Sequence, residues 1–270
     1  MKEAIKTCLR RILTLAVRDR ATVPIFMGAA RGFQVPRGVA LENLSILFGR
    51  YEQAVTDAIW KIERPIGVAY DVGAHVGLTT IILARRFGDH CRLVAFEPSP
   101  ENVARLESLV AANRMKNVAI EPIALTDECG EARFLRHGGS SMGMLGAVAA
   151  EDSTPSPMEH TDLVRTQTLD SFVFDEGHSP PDLVKIDVEG AEARVVRGGA
   201  RVIAKYHPVL LFELHGPKHA GEVWDLLQEQ AYRWTYIDPR HGPMGNISER
   251  DQLLAYFGPD AFWTQHVLLH

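Results

Sequence analysis

The chain has 270 residues, of which 46% are hydrophobic and 23% are charged, and this composition argues against a disordered, collagen-like or coiled-coil protein. Its 34 acidic residues outnumber its 29 lysines and arginines, so the net charge is -5. No nucleic-acid partner is expected, because broad binding to nucleic acid depends on a basic surface.

Cysteine usage and hydropathy indicate the compartment. Cys8, Cys91 and Cys129 are far apart and form no CxxC pair, which argues against a disulfide framework and against a cysteine-rich zinc site. No apolar run approaches the roughly 20 residues that span a bilayer. The run from Ile12 to Val17 is too short for the core of a signal peptide. We therefore expect a cytoplasmic protein.

Residues 1–64 are predicted to form a helical N-terminal extension. Apolar residues between Ile5 and Ala16 recur every three or four positions with basic residues around them, and a second such pattern runs from Leu44 to Ile59. The first helix could contact a membrane surface, pack on its own domain, or pair between the subunits of a homodimer. The pattern leaves these alternatives open.

Residues 65–270 are predicted to form an α/β domain. Short apolar runs alternate with helix-length segments, which is typical of parallel strands covered by helices on both faces and joined by right-handed crossovers. We expect a Rossmann-like, doubly wound, mostly parallel sheet of seven strands with an antiparallel hairpin at one edge. The predicted strands are 66–72, 92–97, 118–123, 182–187, 208–214, 233–237 and 262–269, and the predicted helices are 78–88, 100–114, 191–205 and 221–230.

The segment 137–162 interrupts this alternation. It contains several glycines and prolines together with serine and threonine, and it shows no sustained period. We predict that it is either a flexible loop or lid over a site, or a variable surface connection.

The sharpest motif is DVGAHVG, Asp71 to Gly77, directly after the first predicted strand of the sheet. Open α/β sheets bind ligands at the carboxyl ends of their strands, where glycines let the backbone approach a ligand closely. The amides of Leu78 and Thr79, at the start of the next helix, would face an anionic group such as a carboxylate. The motif lacks the GxGxxG spacing of a dinucleotide site. A tight turn without a ligand is the alternative interpretation.

A second signal is Glu97, which ends the next predicted strand twenty residues after Gly77. A carboxylate in this place can accept hydrogen bonds from both hydroxyls of a ribose. It could instead cap the helix that begins near Pro100. Together with the glycine-rich turn, Glu97 favours ribose binding.

Several motifs carry a family resemblance. DVGAHVG, AFEPSPENVARL, KIDVEGAE and LLFELH, in this order, resemble the FkbM-type family of S-adenosylmethionine-dependent methyltransferases, and the upstream GRYEQ is similar to that family's lead-in. The resemblance covers roughly Ile66 to His215. It implies the class I methyltransferase fold and transfer of a methyl group to a hydroxyl of a sugar, glycan or natural product. His75 departs from the family, which most often has Asn there.

The resemblance implies an S-adenosylmethionine site at the carboxyl edge of the sheet. The turn after the first strand would surround the amino acid part of the cofactor, with Asp71 near its ammonium. The end of the second strand would bind the ribose, and the residues after the third strand would lie beside the adenine. The implied cofactor-binding residues are Asp71, Gly73, Ala74, His75, Gly77, Leu78, Thr79, Glu97, Pro98, Ala124 and Leu125.

A hydroxyl acceptor must lose its proton, and a general base for this step is expected at the carboxyl ends of the later strands. The candidates are Asp187, Glu189, Glu213 and His215. His215 is the first choice, because an unperturbed imidazole titrates near neutral pH. The resemblance places Asp187 near the transferable methyl. Either Asp187 or Glu213 would orient His215 or bind substrate hydroxyls. Asp187, Glu189 and Glu213 could also share a divalent metal such as magnesium.

Two other functions are compatible with the same sheet. A nicotinamide-dependent oxidoreductase is one, although the missing GxGxxG spacing counts against it. A non-catalytic partner-binding module is the other, although the acidic residues at the strand ends make it less attractive. The partner expected for the methyltransferase is a small hydroxylated or glycosylated acceptor.

Overall fold

The computed structural model of the chain describes residues 17, 20–136, 143–145, 160–238, 245–257 and 264–270. None of the helices in these ranges combines the length and the apolarity needed to cross a membrane. The strands are β1 (Thr22–Pro24), β2 (Gln34–Pro36), β3 (Val68–Val72), β4 (Arg92–Phe96), β5 (Val118–Glu121), β6 (Ala124–Leu125), β7 (Gly130–Arg136), β8 (Gly143–Leu145), β9 (His160–Gln167), β10 (Leu183–Ile186), β11 (Val209–His215), β12 (Trp234–Tyr236), β13 (Gly245–Ile247) and β14 (Thr264–Leu269). The α-helices are α1 (Arg37–Glu42), α2 (Gln53–Trp60), α3 (Leu78–Phe87), α4 (Pro100–Ala112), α5 (Glu192–Gly198), α6 (Ala200–Tyr206), α7 (Pro217–Leu227) and α8 (Arg250–Ala255).

The main sheet confirms the predicted architecture. Its strand order is β13-β12-β14-β11-β10-β3-β4-β5. The strands from β11 to β5 are parallel, whereas β14, β12 and β13 run antiparallel to their neighbours. The chain enters the sheet at β3, proceeds outward to β5 and returns at β10, so the strand order reverses between β3 and β10. The fold is therefore a doubly wound, mostly parallel α/β sheet, and ligands are expected at this reversal.

The number of strands differs from the prediction of seven, because the main sheet has eight. The additional strand is β13, which pairs with β12 at the edge. Its sequence, Gly-Asn-Ile, lacks the alternation of apolar and polar residues by which a half-buried strand is recognised. A second sheet of four strands, in the order β6-β9-β7-β8, was also not predicted. Its longer strands carry few apolar side chains, and their charged residues obscured the pattern.

The segment predicted as a loop or lid contributes to this second sheet. Within 137–162, β8 pairs with β7, and β9 begins at His160. Residues 137–142 and 146–159 lie outside the described residues, and for them the loop-or-lid interpretation stays a prediction.

Alternating side chains of the parallel strands reach two cores on opposite faces of the sheet. Tyr70 faces the first core, where its ring meets Phe96 and Phe172 edge to face with centroids 5.3 and 5.8 Å apart. Ala69 faces the second core, which contains Ile81 of α3. Strands buried on both faces explain why these segments are almost continuously apolar.

The described N-terminal residues pack on the second core. Val23, Leu47 and Ile59 belong to the same buried cluster as α3. The N-terminal region also contains an antiparallel pair of strands, β1 and β2. The prediction of a helical extension did not include these strands. The division of the chain at residue 64 stays a prediction, and the first predicted helix, 5–16, lies outside the described residues.

The helix predicted between Leu44 and Ile59 is interrupted. A 3-10 turn covers Ile46–Phe48, and α2 begins only at Gln53. Between them Gly49 has φ 64° and Glu52 has φ 44°. An α-helix cannot contain left-handed residues, so the apolar periodicity continues across a break in the backbone.

The helix predicted over 191–205 consists of α5 and α6. The Asp170 carboxylate accepts hydrogen bonds from the backbone N–H groups of Arg201 (3.0 Å) and Val202 (2.8 Å), in the first turn of α6. The first N–H groups of a helix have no partner within the helix and need such acceptors. Asp170 therefore caps the N-terminus of α6, which begins as a helix separate from α5.

Gly77, directly before α3, lies against the Leu106 side chain of α4. Its φ is +89°, and a Cβ at this position would overlap the Leu106 Cδ1 on α4. Gly177 offers a comparison, because its φ is +75° but a Cβ there would meet no atom within 4 Å. Gly77 therefore suits this position through its conformation and through the space that it leaves for the Leu106 side chain.

We predict that Gly77→Ala lowers the free energy of unfolding by roughly 2–5 kcal/mol, the sum of a left-handed alanine and an overpacked core. Gly177→Ala should cost only about 1–2 kcal/mol, since it carries the conformational term alone. Urea denaturation of both variants measures the difference. Equal losses for the two variants would contradict the proposed contact with α4.

Candidate functional site

A cavity of about 630 Å³ lies at the carboxyl edge of the sheet, where the strand order reverses. Most of the candidate residues line it. The candidates on its wall are Gly73, Ala74, His75, Leu78, Thr79, Glu97, Pro98, Ala124, Leu125, Asp187, Glu189 and Glu213. Asp71, Gly77 and His215 are not among the lining residues and lie behind them.

The glycine-rich turn is in contact with the end of β10. Gly73 has φ +76°, and a Cβ on it would overlap the carbonyl oxygen of Asp187. The Asp187 N–H also donates a hydrogen bond of 3.1 Å to the Val72 carbonyl. Gly73 therefore brings the turn after β3 and the residues after β10 into one site.

Glu97 is held in a fixed orientation on the cavity wall. One carboxylate oxygen accepts hydrogen bonds from the Ser99 N–H (2.9 Å) and the Asn102 Nδ2 (3.3 Å), and the other accepts the His75 N–H at 2.8 Å. Burial raises the pKa of Glu97, and these donors act in the opposite direction. The contact with Ser99 lies at the start of α4, so Glu97 serves that helix and faces the cavity at once.

His75 adopts the backbone conformation that this contact needs. Its φ is 52°, in the left-handed region. Asn and His are among the non-glycine residues that enter this region most readily. Histidine therefore fits this turn, as Asn would.

Asp71 contacts a lysine rather than the cavity surface. Its carboxylate accepts a hydrogen bond of 2.7 Å from the Thr80 hydroxyl and lies 3.4 Å from the Lys185 ammonium. Lys185 also donates to the Gly73 carbonyl (3.1 Å) and pairs with Asp187 at 3.1 Å. Asp71 is not among the lining residues, and its expected contact with the cofactor stays a prediction.

Lys185 was missed in the candidate set, although it lines the cavity. Its signal was a single lysine within the apolar strand DLVKID. Burial lowers the pKa of Lys185, but Asp187 and Asp71 outweigh burial and raise it above its ordinary value. Lys185 is therefore a buried ammonium that neutralises two carboxylates.

His215 is surrounded by carboxylates. Its Nδ1 lies 2.7 Å from Glu192, and its Nε2 lies 3.3 Å from Glu189, 3.8 Å from Asp187 and 3.9 Å from Glu213. Burial lowers the pKa of His215, but the hydrogen bond to Glu192 and the neighbouring carboxylates raise it to about 10. At neutral pH the ring is an imidazolium and cannot accept a proton. The role of His215 as the general base stays a prediction, and its raised pKa argues against it.

A second histidine, His266, was missed altogether. It stands opposite Glu213 in the register of β14 against β11. Its Nε2 lies 3.2 Å from Glu213, and its Nδ1 lies 3.1 Å from the fully buried Asp238. Burial raises the pKa of Glu213, but His266 outweighs it and lowers the pKa to about 2. Glu213 is therefore ionised at neutral pH.

Tyr51 and Glu52 complete the polar end of the cavity, and both were outside the candidate set although the GRYEQ motif contains them. Oxygen atoms of Glu52, Asp187 and Glu213 lie within 4.8 Å of one another, as do ligand atoms of Asp187, Glu189 and His215. Such groups could hold a divalent metal. However, Lys185, His215 and His266 already pair with Asp187, Glu189 and Glu213, and a magnesium site stays a prediction.

Comparison with known proteins identifies the family of the chain. Residues 71–234 match the family model described as the methyltransferase FkbM domain. The chain is 28% identical over 159 residues to the 2-O-methyltransferase NoeI of Sinorhizobium fredii. This alignment covers 53% of this chain and 62% of NoeI. It is 27% identical over 186 residues to the hexuronic acid methyltransferase AglP of Haloferax volcanii. This alignment covers 67% of this chain and 69% of AglP.

A crystal structure of methyltransferase FkbM from Methylobacillus flagellatus aligns with a TM-score of 0.47 at 16% identity, over 76% of this chain and 43% of that one. The chain thus spans only about three fifths of the length of NoeI, 62%. The family model, in contrast, covers more than half of the chain and includes the cavity-lining turn, Glu97 and the residues after β10. The chain belongs to the family defined by the methyltransferase FkbM domain.

Proposed function

We propose that the protein is an S-adenosylmethionine-dependent O-methyltransferase that acts on a hydroxyl of a sugar, glycan or natural product. The observation that carries the proposal is the Glu97 carboxylate, which three N–H donors hold on the cavity wall one strand away from the glycine-rich turn. Family membership supports methyl transfer, and the names of the relatives, a 2-O-methyltransferase and a hexuronic acid methyltransferase, support a hydroxylated acceptor.

The cavity has the chemistry that this cofactor requires. Glu97 offers acceptor oxygens for ribose hydroxyls, and Ala124, Leu125 and Phe134 provide an apolar wall for adenine. No side chain of the described residues caps the start of α3, so the N–H groups of its first turn can bind a carboxylate. The acidic residues after β10 and near the end of β11 suit the positive charges of the cofactor.

When bound, S-adenosylmethionine supplies an electrophilic methyl group on a sulfonium. The chain must then align the acceptor hydroxyl with that group, and such positioning contributes on the order of 7–11 kcal/mol. In this proposal Asp187 and Glu213 accept hydrogen bonds from substrate hydroxyls. Lys185 and His266 hold these two carboxylates in place.

The other functions considered have less support. The family match favours methyl transfer over a nicotinamide-dependent oxidoreductase and over a non-catalytic partner-binding module. A fluorescence titration with NADH that shows saturable binding would favour the oxidoreductase. A cytoplasmic location, a homodimer and membrane contact through the first helix stay predictions from the sequence.

We predict that Glu97→Ala weakens the binding of S-adenosylhomocysteine at least about tenfold, because hydrogen bonds to a charged group contribute about 1.5–3 kcal/mol each. Isothermal titration calorimetry measures the dissociation constant. Glu107→Ala is the matched control, because Glu107 is an exposed glutamate on α4, and it should bind like the wild type. Thermal unfolding of both variants separates lost binding from lost folding. Absence of binding by the folded wild-type protein would refute the proposed cofactor.

We predict that His215 stabilises the protein as a cation. Since its pKa is raised from an unfolded value of about 6.5 to about 10 in the fold, its stabilising effect is full below the unfolded value and is lost as pH rises through about 10. His215→Gln should therefore lower the free energy of unfolding by a few kcal/mol at pH 7, and this loss should shrink as the pH approaches 10.

Urea denaturation across this pH range tests the prediction. His90→Gln, at an exposed histidine, is the control and should follow the wild-type curve. A loss in His215→Gln that is independent of pH would show that the ring acts through packing alone.

A further inference from the structure

Four carboxylates converge at the polar end of the cavity, and three of them are held by cations. Asp187 pairs with Lys185 at 3.1 Å. Glu189 pairs with His215 at 3.3 Å, and Glu213 pairs with His266 at 3.2 Å. The fourth is Glu52, which among the described residues forms no ion pair. Its Oε2 instead accepts a hydrogen bond of 3.2 Å from the Thr79 hydroxyl.

Glu52 differs from the other three in its backbone as well. Its φ of 44° places a non-glycine residue in the left-handed region, directly before α2. Such conformations are costly and occur preferentially at functional sites. Here the conformation accompanies a glutamate on the wall of the same cavity as Glu97 and the glycine-rich turn.

We propose that Glu52 is the general base that takes the proton of the acceptor hydroxyl during methyl transfer; this assignment rests on the proposed function. The acceptor oxygen forms a bond to the methyl carbon, and the bond between that carbon and sulfur breaks with its electron pair remaining on sulfur. The hydroxyl proton passes to a carboxylate oxygen of Glu52. The products are the methyl ether, S-adenosylhomocysteine and a neutral Glu52, which returns its proton to water.

The contacts explain why Glu52 has this role rather than its neighbours. A cation in contact with a carboxylate favours its ionised form and so weakens it as a proton acceptor. This applies most clearly to Glu213 beside His266, whose pKa is lowered to about 2. Burial raises the pKa values of Asp187 and Glu189, but Lys185 and His215 already pair with these two carboxylates. Of these four carboxylates, only Glu52 has a neutral partner in place of a cation, the Thr79 hydroxyl.

The electrostatics of the site agree with this geometry. Burial raises the pKa of Glu52, Lys185 lowers it, and Asp187 and Glu213 raise it, so that it lies at about 7. Tyr51 lowers it through its hydrogen bond, and His266 also faces this group. A base whose pKa lies near the working pH combines ionisation with proton affinity, which is the favourable condition for proton transfer.

Glu52→Gln removes the proton acceptor and keeps the shape of the side chain. We expect kcat to fall by about 10²–10⁴-fold, with the affinity for S-adenosylhomocysteine nearly unchanged. Asp57→Asn is the matched control, because it makes the same chemical change at an exposed residue on the adjoining helix α2. It should keep the wild-type rate.

The probe is tritiated S-adenosylmethionine with a pool of neutral and acidic methyl hexopyranosides, assayed in the presence of EDTA. The wild-type rate should rise with pH and level off above about 7, as Glu52 becomes ionised. Glu52→Asp, which retains a carboxylate, should recover part of the rate and keep the pH dependence. A merely structural role for Glu52 would leave the shape of the pH profile unchanged.

The outcomes separate this assignment from the proposed function. A Glu52→Gln variant as active as the wild type would overturn the assignment and leave the methyltransferase intact. Wild-type activity that is lost in EDTA and restored by magnesium would overturn it in favour of a metal ion. A wild-type protein that binds S-adenosylhomocysteine but methylates none of the pool would refute the sugar acceptor and, with it, this base. Failure to bind S-adenosylhomocysteine would refute the proposed function itself.

Discussion

The site depends on one buried ammonium, that of Lys185. It lies 3.4 Å from Asp71, 3.1 Å from Asp187 and 3.1 Å from the carbonyl of Gly73. Two carboxylates at adjacent strand ends would repel each other in a place that water barely reaches, and a buried charge is tolerated only when it is paired. Lys185 supplies that pairing and ties the turn after β3 to the end of β10. Together with the close approach of Gly73 to Asp187, Lys185 therefore holds the two strand ends in one site.

The sequence predicted what depends on local pattern. The parallel strands are nearly continuous apolar runs and were found, and the turn from Gly73 together with Glu97 lies on the cavity wall as expected. The properties that depend on distant neighbours could not be predicted. His215 has the intrinsic pKa of a base, but Glu192 and the carboxylates around it make it a cation. His266 reaches the site only through the pairing of β14 with β11.

Unusual backbone is concentrated at the cavity. Of the five described non-glycine residues with positive φ, three line it, namely Glu52, His75 and Glu189. Each follows or precedes an element of regular structure, so the main chain turns sharply at the point where a side chain must reach inward. Patterns of apolar residues carry no signal for such turns, which is why the break before α2 was missed. The helical spacing of apolar residues continues across Glu52, but the helical backbone is interrupted there.

The pairing of Glu213 with His266 makes the charge of Glu213 depend on the register of β14 against β11. Successive side chains of a strand point to opposite faces of the sheet, so a shift of β14 by one residue would carry the His266 ring away from the cavity. Glu213 would then keep its burial but lose its counter-charge. β14 lies far along the chain from the glycine-rich turn and from Glu97, so the ionisation of Glu213 depends on a strand that those motifs do not include.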